Sequence, residues 1–247
     1  METNNIKLIN ADCMDIMKEY PDNYFDLAIV DPPYGIERFK KCKQNDDPNT
    51  KDVFANKFLK GESFNNTKPK KEYWDELFRV SKNQIVWGAN NFTMPESEYF
   101  LIWDKKQAMP NFARCEYAWV SMGLKKPAKI YEFSIHKHNQ TNKIHQTQKP
   151  INLYSFILEN YAKIKCNHKH TEDYRSLCTD CRNSNVKILD THLGSGSSAI
   201  AAHYFGVGQF VGIELDKDYY DAACKRFKEQ TAQIDLFQAI ENEKNER

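Results

Sequence analysis

Residues 188–215 read ILDTHLGSGSSAIAAHYFGVGQFVGIEL, and this stretch restricts the fold more than any other. An apolar run ends at Asp190, Gly194 and Gly196 make a tight turn, and the small-residue pattern SSAIAAHYF (197–205) predicts a helix. A second apolar run, QFVGIEL (209–215), follows and carries Glu214 near its end. Strand, glycine turn, helix and strand make a βαβ unit, which needs a parallel sheet. Glycines let a backbone approach a ligand closely, and an acid closing the next strand can accept hydrogen bonds from ribose hydroxyls. An ordinary βαβ turn needs glycine too, but it does not need the acid.

The rest of the chain repeats the alternation. Strands are expected at 6–10, 25–30, 84–88, 99–103, 116–122, 129–135, 186–190 and 209–215. Helices are expected at 13–20, 71–80, 151–164, 197–205 and 218–230, with a frayed tail at 241–247. The expectation is an α/β fold, a mostly parallel central sheet with helices on both faces. A dinucleotide domain would lead with its glycine turn, whereas 185 residues precede this unit. Asp190 directly before the turn would repel a pyrophosphate and suit a cationic ligand. S-adenosylmethionine, with a sulfonium, an ammonium and a ribose, meets those conditions.

A second corner lies at DLAIVDPPYGI (26–36), where a buried-strand pattern ends in Asp31, Pro32, Pro33 and Tyr34. The prolines stiffen the backbone and remove two N–H donors, leaving carbonyls without local competitors. A carboxylate beside a free carbonyl offers two acceptors, matched to the two hydrogens of an aromatic amine, and Tyr34 can stack on the ring that bears it. A nucleobase held this way must leave its duplex stack. Asp-Pro-Pro can also do no more than stop a strand and cap a helix; the glycine turn downstream favours the first reading.

Together these motifs resemble the S-adenosylmethionine-dependent DNA amino-methyltransferases, in the circularly permuted group whose Asp-Pro-Pro-Tyr precedes the glycine motif, and within it the phage and bacterial adenine-methylating branch. The resemblance also rests on RVSKNQIVWGANNF (79–92), LIWDK (101–105), TQKP (147–150) and GIELDKDYYDAACKRF (212–227). It implies a Rossmann-like methyltransferase fold and methyl transfer to the N6 of adenine in a specific sequence of double-stranded DNA, with cytosine N4 as the alternative. Asp31 and the Pro32 carbonyl resemble the amine-holding pair, and Tyr34 the stacking residue. Asp190, Gly194, Ser195, Gly196 and Ser197 resemble the cofactor loop, Glu214 the ribose acid and Asp12 an acid near the adenine. Lys149 and Pro150 lie in a motif beside the methionine end. His192 stands where the family carries Phe, which leaves that contact open.

Net charge is +1, so the chain is not uniformly basic, and the lysine clusters at 39–43, 68–71, 124–129 and 136–145 read first as solvated faces. Hydrophobic content of 40% supports one sizeable core without any apolar run long enough for a bilayer. The start of the chain carries no export pattern, and the expected setting is the cytoplasm of a bacterial or phage-infected cell, with no membrane partner. We expect a single methyltransferase domain over 1–247, a mobile insert at 37–72 and a small target-recognition region at 123–145; a homodimer is compatible with it. Seven cysteines read as reduced thiols. Within 165–184, Cys166, His170, Cys178 and Cys181, with His168 as the alternative ligand, have the donor types of a structural zinc site. Two rivals stand outside this class. A nicotinamide-dependent oxidoreductase leaves Asp31–Tyr34 unexplained, and a non-catalytic DNA-binding subunit would not need both motifs intact.

Overall fold

The apolar runs form one eight-stranded sheet in the computed structural model, which describes residues 1–3, 5–35, 67–110, 112–139, 143–145, 147–162 and 185–245. The strands are β1 (Ile6–Asn10), β2 (Leu27–Val30), β3 (Gln84–Trp87), β4 (Phe100–Asp104), β5 (Cys115–Val120), β6 (Lys129–Glu132), β7 (Lys187–Asp190) and β8 (Gln209–Glu214). They stand in the order β1-β8-β7-β2-β3-β5-β4-β6. Every neighbouring pair is parallel except β3–β5 and β4–β5, so β5 alone runs against the rest. β2, β3 and the inner part of β7 are buried throughout, as continuous apolar runs covered on both faces require.

Among the described residues six helices cover the two faces: α1 (Cys13–Lys18), α2 (Lys71–Val80), α3 (Ile135–Asn139), α4 (Ile151–Tyr161), α5 (Ser197–Phe205) and α6 (Lys217–Asn245). One core packs α4, α5 and the first turns of α6 against Leu27, Ile29, Ile85 and Ile188. The other packs Met17 of α1 and Tyr73, Leu77 and Val80 of α2 against Ala28, Val30, Val86 and Leu189. Alternate strand residues thus feed opposite cores, the period-two rule of the pleat. α5 is lined with Ala199, Ala201 and Ala202, and these small side chains let it lie close to α4 and the sheet.

Three expectations shift. The strand read at 129–135 stops at Glu132, and α3 begins at Ile135. Its strand is the sheet edge, so 123–145 supplies part of the main fold as well as any readout surface. The C-terminal helix continues through Asn245, past the point where fraying was expected. The insert expected at 37–72 lies outside the described residues up to position 66; 67–70 lead into α2, and Lys71 and Glu72 are its first residues. Cys166, His168, His170, Cys178 and Cys181 also lie outside them. Among the described residues no group of His, Cys, Asp or Glu could hold a metal ion, and no helix is long and apolar enough to cross a membrane.

Ile85 is fully buried at the centre of the sheet. Replacing it with Ala should cost about 2–5 kcal/mol of unfolding free energy, read as a lower denaturant midpoint.

Candidate functional site

β2 and β7 are adjacent, and the chain leaves them in opposite directions across the sheet, β2 toward β3 and β7 toward β8. Crevices in open α/β sheets form where strand order reverses, outside the carboxyl ends of such a pair. A cleft of about 1010 Å³ opens there. Asp31, Pro32, Pro33 and Tyr34 line one end of it, and Thr191–Ser195 with Glu214 line the other. The two motifs, far apart in sequence, share one cavity.

At the first end Asp31 is held by two donors. Tyr34 Oη donates to Asp31 Oδ1 at 2.5 Å, and Lys149 Nζ donates to Asp31 Oδ2. Burial first, then the Asp31 charge, raises the Tyr34 phenol well above its ordinary value, so it stays a donor. Lys149 has 3% of its side chain exposed, and burial disfavours its charge, but Asp31 and Glu116 outweigh that and raise its pKa. The ammonium also lies 5.3 Å from the centre of the Trp87 ring. No described residue donates a hydrogen bond to the Pro32 carbonyl, as two consecutive prolines predict.

Gly88 makes room for Tyr34. Its φ is +64°, and a Cβ there would sit 2.1 Å from Tyr34 Cε1, so the phenol ring lies directly on the glycine backbone. Phe92 stands edge-on to the same ring at 6.2 Å.

The second end is built by backbone. Gly194 N donates to Glu214 Oε2 at 2.8 Å and Asp216 N donates to Oε1 at 3.0 Å, which ties the glycine turn to the end of β8. Burial raises the Glu214 pKa, partly offset by these bonds. Asp12 caps α1 by accepting from Met14 N at 2.8 Å and stands at the rim. His192 has its pKa lowered to about 4 by burial, so it is a neutral ring, packed edge-on against Tyr73 at 5.5 Å. It lines the cleft as an uncharged aromatic ring.

Asp190 differs from its expected place. It is 2% exposed and turned under the loop, accepting from His192 N at 3.0 Å and from Ser198 Oγ at 2.5 Å. Burial raises its pKa to about 7. It shapes the turn and does not line the cleft, and neither do Pro150, Gly196 or Ser197. Ser197 Oγ instead donates to the Lys149 carbonyl at 2.8 Å, and Gly196, at φ 74°, caps α5. Asp12, Lys149, His192, Gly194, Ser195 and Glu214 do line it.

Sequence reading missed Gly88, Tyr154 and Glu116. Tyr154 lines the cleft from α4, and its pKa is raised by burial and by Asp190. Its position follows the proline of TQKP by one helical turn, which is the signal that could have found it. Glu116 reaches Lys149 only because β5 is antiparallel, and no local pattern marks that.

Residues 64–225 of the chain match the N6/N4 DNA methylase family. The chain belongs to that family. The matched segment holds Lys149 and the glycine turn and begins after the Asp31–Tyr34 corner. Among curated relatives, the chain is 24% identical to the type II methyltransferase M.HinfI of Haemophilus influenzae, covering 90% of this chain and 68% of that one. It is 22% identical to the type II methyltransferase M2.MboI of Moraxella bovis, covering 92% and 89%. Its fold is similar to the M1.HpyAVI–SAM complex (TM-score 0.51, 19% identity, 90% and 99% covered). It is also similar to PvuII DNA methyltransferase, a cytosine-N4-specific enzyme (TM-score 0.55, 12% identity, 91% and 87% covered). The protein is a DNA methyltransferase of the N6/N4 group with the methyltransferase α/β fold.

Two outcomes test this N6/N4 methylase site. In Gly88→Ala the added methyl must expel the Tyr34 ring, so a structure of the variant should show the Tyr34–Asp31 bond broken and DNA methylation slowed. Asp190 binds its proton more tightly folded than unfolded, so its contribution to stability is complete below about pH 4 and lost as pH rises through about 7. Asp190→Asn keeps the acceptor for His192 N and has no such proton. The wild type should therefore lose stability relative to this variant between those pH values, in denaturant midpoints taken across a pH series.

Proposed function

We propose that the protein transfers a methyl group from S-adenosylmethionine to N6 of an adenine flipped out of double-stranded DNA at a specific sequence. The observation that carries this is the single cleft joining the Asp31–Tyr34 corner to the Gly194–Glu214 turn. The donor set of the second end suits that cofactor. Asp12, Glu214 and Asp216 line it as carboxylates, which accept from hydroxyl and ammonium groups and would repel a pyrophosphate. That favours a sulfonium nucleoside over a nicotinamide dinucleotide.

S-adenosylmethionine supplies a methyl group already activated on a positively charged sulfur. Glu214 and Asp12 would hold its nucleoside, with His192 as a neutral wall and the Gly194–Ser195 backbone approaching closely. Asp31 and the Pro32 carbonyl accept the two hydrogens of the exocyclic amine. That draws the nitrogen lone pair out of conjugation with the ring and aims it along the cleft. The Asp31 carboxylate would stabilise the positive charge that grows on the nitrogen as it takes the methyl group from the sulfonium, which would leave as a neutral thioether. The surplus proton leaves through Asp31. Tyr34, released from Asp31 by the incoming amine, is free to stack on the base. Cytosine N4 offers the same two hydrogens, so base identity is a property to be measured. Cys166, His168 or His170, Cys178 and Cys181 remain the chain's candidates for a structural zinc ion, counted by metal analysis.

Asp31→Ala should lower methyl transfer by about a hundredfold or more and leave the affinity for S-adenosylhomocysteine, whose sulfur is uncharged, within a few-fold. The assay is transfer of labelled methyl to defined duplexes, with the product base identified by mass. N6-methyladenine is expected; N4-methylcytosine, or transfer by the variant near the wild-type rate, would refute the proposal.

A further inference from the structure

Four charged side chains of alternating sign run away from the Asp31 corner. Asp31 is paired with Lys149, Lys149 Nζ lies 3.3 Å from Glu116 Oε2, and Lys105 Nζ lies 2.6 Å from Glu116 Oε1. Glu116 sits at the start of β5, paired with Trp103 of β4. Because β5 runs opposite to β2 and β3, its first residues stand at the edge where those strands end, beside the cleft. Glu116 Oε2 is buried, and among the described residues the Lys149 ammonium at 3.3 Å is the group it faces. Burial pushes the Glu116 carboxyl up, but Lys149 and Lys105 override it and hold it at about 2. It is ionised throughout the working range.

We infer that Glu116 is a positioning residue of the methyl transfer: it shares the Lys149 ammonium with Asp31, so that Asp31 keeps acceptor capacity for the target amine and the cleft gains no net positive charge. The inference rests on the function proposed above. Lys149 stands closest to Asp31, and Glu116 draws on the same ammonium from its other side, so the positive charge is divided between two carboxylates. The groups facing Lys149 are Asp31 and Tyr34 beyond β2, Trp87 on β3, Glu116 on β5, Tyr154 on α4 and the His145 ring, which burial keeps neutral. Of these, Asp31 and Glu116 carry the negative charge, and Glu116 also faces Lys105 and, farther off, the half-buried Lys143. Removing the charge of Glu116 leaves the row with one uncompensated cation facing a sulfonium ligand.

The test uses the full chain and compares Glu116→Gln, Glu116→Asp and Lys105→Met with the wild type. Calorimetry gives the affinities for S-adenosylmethionine and for S-adenosylhomocysteine, whose sulfur is uncharged. Glu116→Gln should weaken the cationic ligand about five- to tenfold and the neutral one less than twofold, the pattern of a local charge. It should also lower kcat at least about tenfold. Glu116→Asp should recover most of each effect, and Lys105→Met, which makes the row more negative, should not weaken the cationic ligand. Equal weakening of both ligands, wild-type kcat in Glu116→Gln, or loss of the cationic ligand in Lys105→Met would overturn the inference while leaving the proposed function standing. A wild-type protein that binds neither ligand and methylates no duplex overturns both.

Discussion

Lys149 is the joint on which the site depends. Its ammonium engages Asp31 at the end of β2, and its backbone carbonyl accepts from Ser197 at the start of α5. One residue thus ties the Asp31–Tyr34 corner to the helix that follows the glycine turn. The pairing is buried, so an unpartnered Lys149 or Asp31 would carry the full desolvation penalty of a lone charge. That makes the relative placement of the two halves a matter of electrostatic necessity as well as of sheet topology. Pro150 then starts α4, whose Leu153, Ile157 and Leu158 are anchored in the core, so the lysine is fixed from behind.

The sheet supplies the second constraint. Adjacent parallel strands β7 and β2 project their ends to one side, and everything with chemistry stands there. This explains why motif order along the chain and motif proximity in space are unrelated. The glycine turn can follow the Asp-Pro-Pro-Tyr corner by most of the chain, because strand pairing, not sequence separation, sets the distance between them.

What could be read in the sequence divides along the same line. Asp31–Tyr34, Gly194 and Glu214 were visible because each lies in a local pattern: a strand end, a turn, a strand end. The strands and helices were visible by period, and most boundaries fell within two residues. Asp190 was assigned the right loop and the wrong direction, since nothing local distinguishes a carboxylate facing a cleft from one folded back on Ser198 and the His192 amide. Lys149 was assigned to the cofactor end, and its side chain reaches the other one. Gly88, Tyr154 and Glu116 were missed because each matters through a partner far away in sequence. Glu116 in particular requires knowing that β5 is antiparallel, and strand direction leaves no periodic trace.

The bond between Tyr34 and Asp31 has a consequence for finding inhibitors. A small amine-bearing heterocycle entering this corner must displace an internal charge-assisted hydrogen bond, and it gains only its own in return. Fragments offered to the isolated protein will therefore populate the half of the cavity lined by Glu214 and Asp12 first. Compounds that reach the aromatic half will need a second anchor to hold them while the phenol swings aside, and linking outward from a nucleoside mimic is the direct route.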